Sequence, residues 1–569
     1  MRLENGKKQC YMGHRHFLPL NHKWRNDKQS FDGTKERRLP PNILSGEDIL
    51  DQVADLDGLP LTKDPKKKPK ISHESRGDNW NKKSIFFDLS YWKTLLLRHN
   101  LDVMHIEKNV CENILGTILN VKGKTKDTIK ARLDLQAKNI RKELHPIKNG
   151  EKYELPTTYY TLSPYEKNIF LRFLKNLKVP DGYSSNISQC VNTEDCKISG
   201  IKSHDCHVLL QHLLLLAIRG MLCKSVCEPL LELSLFFNLL GAKYLRMEEL
   251  EQRTAQIPIT LCKLEKVFPP SFFDVMVHLP IHLANETMIA GTIQYRWMYP
   301  VERWLYILKS LVGNRAFSKG SIAEGYLATE CLTLCSRYLH TMETKFNRLE
   351  QNYDGGIIKS DGGDTSQKHS NKEFISWFKK KVVELYKCDN SKKMEDLLTL
   401  SRGPLPYVRR LKGYVTDGYR FHVEDYDRGL RTQNYGVIVV GETDDENKNI
   451  DYYGELTVIF ELQFIGGKRV ILFRCMWFDL YDQEKRVKMD EYGFVSVSCQ
   501  RLLKTNEPFV LANQALQVFY VDDPSNKGWH VARKVLPHDT FDILQEKDDD
   551  LENLDNSTQM KRKRTDEVF

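Results

Sequence analysis

The stretch Trp92–Asn120, WKTLLLRHNLDVMHIEKNVCENILGTILN, decides how the first half of the chain is read. Leu97, Leu101, Met104, Val110, Ile114 and Ile118 recur at three-to-four spacing, the period of an amphipathic helix or of two helices joined near His99–Asn100. Asp102, His105, Asn109 and Glu112 follow at i, i+3, i+7 and i+10, which places the four on one face. The plain reading of such a stripe is a solvated face. The sharper one is a partly buried polar seam, in which an acid and an imidazole must find partners. A second apolar segment, KSHDCHVLLQHLLLLAIRG from Lys202, carries a comparable stripe, with His204, His207 and Gln211 at i, i+3 and i+7. The two can pair, Asp102 with His207 or Asp205 with His105. The histidines can equally be satisfied by separate core partners.

Bulk properties narrow the class. A chain of 569 residues is too long for one core and suggests two to four domains. A hydrophobic fraction of 41% is ordinary for a globular protein. Apolar runs such as Leu213–Ile218 fall far short of a bilayer span, so no membrane association is expected. The start, MRLENGKKQCYMGH, has no secretory apolar region, and thirteen scattered cysteines fit reduced thiols. The formal charge of +9 permits nucleic-acid contact without demanding it. Cys10, His14, His16 and His22 lie close together but lack the paired ligands of a zinc site, as do Cys206–His207 and Cys223 with Cys227; no metal site is expected. Cys331 and Cys335, at i and i+4, read as core thiols.

Outward from the central stretch, residues 1–40 are basic and aromatic and form part of the candidate DNA surface, with Arg37 and Arg38 as candidate DNA-binding residues. GEDILDQVADLDGLP from Gly46 is a short helix with Ser45 as its N-cap. The Lys63–Lys70 tract, KDPKKKPK, is a solvated loop in which Lys66, Lys67 and Lys68 can meet phosphate. A basic helix covers much of Lys122–Arg141, and Ser163–Pro164 opens another helix. Helices continue to Leu339, the Gln351–Asn371 stretch is a linker, and from Tyr414 the pattern turns to period two with β-branched residues. Seven short strands, with Gly466–Gly467 as a hairpin turn, predict a small all-β barrel or sandwich. The tail from Gln545 is acidic and then basic, KRKR at Lys561–Arg564.

The central stretch with its Asp102-x-x-His105 core resembles the C-terminal end of the transposase domain of plant CACTA (En/Spm-type) DNA transposons. The Lys202 segment, RWMYPVERWLYILKSLVGNRAFSKGSIAEGYLATECLTLCSRYL from Arg296 and the β-rich stretch from Gly418 resemble regions that trail it in those elements. The resemblance runs from about Cys10 to Phe541. It implies a multidomain α + β chain: a mainly helical N-terminal two-thirds, holding a remnant of the helical insertion of an RNase H-like transposase, and then the β module. The expected divisions are a transposase remnant over 1–150, a helical domain over 151–350, a linker with a short helix over 351–413, the β-rich domain over 414–541 and a charged tail over 542–569.

Such transposases use three carboxylates to hold two magnesium ions. By resemblance, Asp102 and His105 match the Asp-x-x-His element, and Glu302 in YPVER is the best positional match for the third acid, with Glu324 second. The first two acids of the family precede the matching region, so the chain is expected to be a truncated, non-catalytic relative with no cofactor of its own. Magnesium would enter only with the complete site. The expected activity is weak, non-specific DNA binding or contact with transposase subunits, in an oligomer or alone, in the nucleus. The alternative is an active nuclease completed by upstream sequence or a partner.

Overall fold

The computed structural model describes residues 2–56, 83–184, 187–338, 357–359, 368–388, 391–443, 449–479, 487–505 and 508–536. The Lys66–Lys68 tract, most of the 351–371 linker, the centre of the acidic loop and the tail with Lys561–Arg564 lie outside the described residues. The chain forms two compact units, Met1–Lys167 with Lys202–Ile307, and Asn168–Ile201 with Leu308–Phe569.

The first unit is helical. Helix α1 (Gly46–Gln52) starts on a capping box in which Ser45 and Asp48 satisfy each other's backbone N–H. Helix α2 (Val103–Ile118) is the centre of the stretch quoted first, and α3 (Ile129–Ala137) follows. A small hairpin, β1 (Ile147–Asn149) with β2 (Lys152–Glu154), precedes α4 (Pro164–Asn176), which begins in this unit on a Ser163–Glu166 cap. The Lys202 segment forms α5 (Ser203–Val208), a π turn over Leu209–Leu213 and α6 (Leu214–Ile218). Every residue from Val208 to Ile218 except His212 is buried, which an all-round apolar sequence requires. Helices α7 (Lys224–Leu240), α8 (Met247–Val267), α9 (Val275–His278) and α10 (Pro280–Ala290) complete the core, and α11 (Tyr299–Ser310) leads out of the unit. Helix α2 packs on α5, and α7 on α8. Phe236, Phe237, Leu261 and Leu264 are at most 1% exposed, each contributing roughly 1.5–3 kcal/mol of burial.

In the second unit, a two-stranded ladder of β3 (Val191–Asn192) and β4 (Lys197–Ile198) precedes α12 (Ser318–Tyr338), α13 (Lys368–Cys388), α14 (Lys392–Arg402) and α15 (Glu424–Asp427). Cys331 and Cys335 are exposed on α12 rather than in a core. The i, i+4 spacing fixes a shared face but not which way that face turns.

The seven period-two runs appear as β8 (Tyr419–His422), β9 (Gly436–Thr443), β10 (Asn449–Gln463), β11 (Arg469–Trp477), β13 (Val495–Ser498), β14 (Phe509–Leu511) with β15 (Leu516–Asp522), and β16 (Trp529–Lys534). Four short strands were not among them: β5 (Ile357–Lys359) and β6 (Tyr407–Leu411), which fall in the stretch read as a linker, β7 (Gly413–Thr416) and β12 (Val487–Met489). The main sheet runs β12-β13-β16-β15-β9-β10-β11-β14, with β6 pairing β10 and β5 pairing β6, all antiparallel. It is an open sheet and not the closed barrel entertained from sequence. Its end strands are three residues each and do not pair with one another, a short-edge solution to exposed ladder groups. Gly466 and Gly467, at φ 78° and 75°, make the predicted turn between β10 and β11. Gly436 is fixed by space: a Cβ there would stand 2.2 Å from the Val518 carbonyl of the neighbouring strand.

Candidate functional site

A polar seam does run between α2 and the Lys202 segment, but its acid is Glu107. Glu107, 2% exposed, accepts from His207 Nδ1 at 2.8 Å and from Gln211 Nε2 at 2.9 Å. Gln211 sits in the π turn, where the Ser234 hydroxyl donates to its carbonyl at 3.0 Å and Asn238 Nδ2 reaches its side-chain oxygen at 3.4 Å. Rings close the other side: His204 stacks on His207 with centroids 6.1 Å apart, and Trp297 and Tyr299 pack against the pair. The Trp297 Nε1 and the Tyr299 hydroxyl are buried without hydrogen-bond partners. Burial opposes protonation of His207, but the charge and hydrogen bond of Glu107 outweigh it, and the pKa rises above the ordinary imidazole value. The Tyr299 pKa is pushed up by burial and then by Glu107, Asp205 and Glu302.

The expected seam residues divide. His204 and His207 line it, and Asp205 is buried beside them on α5. Asp102 is instead the N-cap of α2, accepting from His105 N at 3.2 Å. His105 and Glu112 are exposed and Asn109 half-buried, so the i, i+3, i+7, i+10 stripe is the solvated face. Glu107 escaped the periodicity because it occupies an apolar slot, three residues after Met104 and three before Val110. Its signal was a carboxylate where a Leu would be expected. Glu302 lies exposed in the first turn of α11, and Glu324 is exposed on α12. Among the described residues no group of three His, Cys, Asp or Glu side chains is arranged to hold a metal ion. Asp102 and Glu302, in these positions, do not fit a two-magnesium centre.

The early histidines have another fate. His14 Nδ1 lies 2.6 Å from Glu265 Oε1, His14 Nε2 3.1 Å from His278 Nδ1, and His278 Nε2 3.3 Å from His282 Nε2. One N–H per contact suffices if all three rings are neutral, each donating toward Glu265. Burial, and after it the neighbouring histidines, lower the His278 pKa to about 3, and burial lowers that of His282. This row links the start of the chain to α8–α10 and uses each nitrogen of His278 on a different partner.

The basic segments also sort themselves. Arg15 and Arg25, 0% and 3% exposed, hydrogen-bond to backbone carbonyls of residues 15–38, and Arg15 pairs with Asp32. They hold the first segment's shape. Arg38 is bidentate to Glu36; burial would raise that carboxyl, but Arg38 brings its pKa to about 2. Arg37, Lys7 and Lys8 are exposed. Between residues 122 and 152 stand ten Lys and Arg against four Asp and Glu. Arg132, Arg141 and Lys126 are spent on Asp127, on the carbonyls of Lys266, Val267 and Phe268, and on Asp274. Lys122, Lys124, Lys130, Lys142 and Lys148 are exposed. Buried Asp134 accepts from Asn5 N at 2.8 Å and Gly6 N at 3.1 Å, which seats the turn bearing Lys7 and Lys8 on α3. Lys130 on α3 and the C-cap Lys138 stand about one helical turn to either side of Asp134.

Residues 1–56 match the transposase family tnp2. Residues 240–353 match one domain of unknown function, DUF4218, and residues 460–532 another, DUF4216. No curated protein and no solved structure matches the chain. The described helices include none long and apolar enough to cross a membrane. The tnp2 segment at its start and the two domains behind it support a transposon-derived, transposase-like protein.

Proposed function

We propose that this protein binds duplex DNA through the cationic face around α3, without choosing sequence, and acts in the assembly of transposase subunits on DNA rather than in strand cleavage. The observation that carries this reading is the Asp134 clamp, which seats the turn bearing exposed Lys7 and Lys8 on α3, the helix that carries Lys130. Phosphate contacts need only cations converging on one face, and they confer affinity without base readout. The family match at residues 1–56 suggests DNA as the partner. The resemblance of the motifs from Asp102, Lys202 and Arg296 to CACTA (En/Spm-type) elements of plants supports an origin of that kind, with which a nuclear location and the Lys561–Arg564 cluster agree. Non-catalytic status is supported by the roles of the inherited acids, Asp102 as a helix cap and Glu302 on an exposed first turn.

A salt titration of binding to random-sequence duplex tests the proposal. The expected affinity is ~10⁻⁴–10⁻⁶ M near physiological salt, falling steeply as salt rises. No complex even at low ionic strength would sink the DNA reading. Deleting Lys561–Arg564 should shift a tagged chain toward the cytoplasm, and a chain that is cytoplasmic with or without them would refute the nuclear assignment.

A further inference from the structure

The second unit holds a thiol, an imidazole and a carboxylate in a row that the reading above does not use. In the ladder of β15, β16 and β13, Asp522 stands directly opposite His530, and His530 directly opposite Val497. Cys499 follows Val497 by two residues, and its N–H donates to the Gly528 carbonyl at 3.2 Å, so pairing continues to Cys499. Period two puts Val497 and Cys499 on the same side, which makes Cys499 the diagonal neighbour of His530. The His530 Nε2 meets Asp522 Oδ1 at 3.0 Å. Its other nitrogen, Nδ1, is buried and has no hydrogen-bond partner. Tyr520, two residues before Asp522, lies beside the same ring at 6.3 Å, over a cluster of Ile438, Tyr453, Phe478, Val497 and Val518. The apolar floor excludes water from below, while Asp522 is exposed and Cys499 half-buried at the open end.

We propose that Cys499 is a reactive thiol, activated by the His530–Asp522 pair and open to modification by peroxides and soft electrophiles. Asp522 fixes one imidazole nitrogen, and an imidazolium beside a cysteine favours the thiolate, which is the nucleophilic form of sulfur. Burial disfavours that charge, but the Asp522 hydrogen bond and the Cys499 thiol raise the His530 pKa to about 10, so the ring stays protonated across neutral pH. Among the other titratable groups near the ring, Glu455 adds negative charge that favours the cation, and Tyr520 is held neutral by burial. With hydrogen peroxide, the sulfur attacks one peroxide oxygen and the O–O bond breaks. The departing hydroxide takes the proton of His530, giving a sulfenic acid and water. Sulfur is oxidised by two electrons and the peroxide reduced by two.

The test is site-resolved alkylation of the full-length protein with iodoacetamide at pH 7, read by mass spectrometry at every cysteine. Exposed Cys196, Cys223 and Cys388 serve as internal references. Cys499 should label about tenfold faster than these, and the excess should vanish in urea. His530→Gln should bring Cys499 down to the reference rate without altering the references. If that variant unfolds, Asp522→Asn, at an exposed position, should give a partial loss. Trapping with dimedone after peroxide should mark Cys499 first. A Cys499 rate equal to the references in the folded protein, or one that both variants leave unchanged while folded, would overturn the proposal.

Discussion

Replacing Glu107 by alanine probes the seam most directly. The substitution strips the acceptor from two inward-facing donors, His207 at 2.8 Å and Gln211 at 2.9 Å. Each buried donor left without a partner costs about 1–3 kcal/mol, and removing one member of a buried ion pair costs about 3–5 kcal/mol in all. A loss of ~3–5 kcal/mol in a unit of this size corresponds to a Tm drop on the order of 10 °C. The loss should depend on pH, and its sign follows from His207. Its folded pKa is raised above the unfolded value of about 6.5, so the contribution of the charged pair is complete below that value. It fades as pH rises through the folded pKa. Thermal melts by circular dichroism between pH 5.5 and 9 (roughly bracketing ordinary and raised imidazole titration) should therefore show the wild-type advantage over Glu107→Ala shrinking toward alkaline pH. Glu107→Gln keeps an acceptor oxygen and the volume, so it should lose less and show little of that pH dependence. A Glu107→Ala loss under about 1 kcal/mol, or one constant across the range, would refute the buried-pair account.

Asp102→Ala should cost only about 1 kcal/mol, the value of one N-cap, in the same melts; a loss as large as that of Glu107→Ala would restore Asp102 to the seam. Asp134→Ala removes a negative charge yet should weaken DNA binding, because the Lys7–Lys8 turn loses its anchor; unchanged or tighter binding in a filter or anisotropy assay would contradict the shared cationic face. Purified protein with Mg²⁺ or Mn²⁺ should neither cut nor join DNA. Metal-dependent cleavage abolished by Glu302→Gln would instead establish the nuclease alternative.

Local chemistry was legible in the sequence where it decides local structure. Period-two runs such as YGVIVV and ELTVIFELQF became β9 and β10, Gly466–Gly467 marked the turn from β10 to β11, and Ser45 and Ser163 announced helix starts. Partnerships across long separations were not legible. Glu265 and His14 are 251 residues apart, and no spacing rule connects them. The helical stripe on α2 specified which residues share a face, but burial of the opposite face was decided by packing on α5. Basic composition likewise could not separate Arg15 and Arg25, locked onto backbone carbonyls, from Arg37 and Lys7, which remain on the surface.

The π turn at Leu209–Leu213 has a consequence for how this segment tolerates change in length. A π turn holds one residue more than the α-helical turn it replaces, and here the extra residue lies between His207 and α6. Deleting one residue from it would regularise the helix and improve its local hydrogen bonding. Because the wide turn itself absorbs that residue, Leu214–Ile218 would stay near their present faces, and the loss would fall on the seam, where Gln211 is displaced and the Ser234 hydroxyl loses the Gln211 carbonyl. The extra residue therefore matters for where it puts Gln211 against Glu107 and His207, and not for the register of α6 with the core.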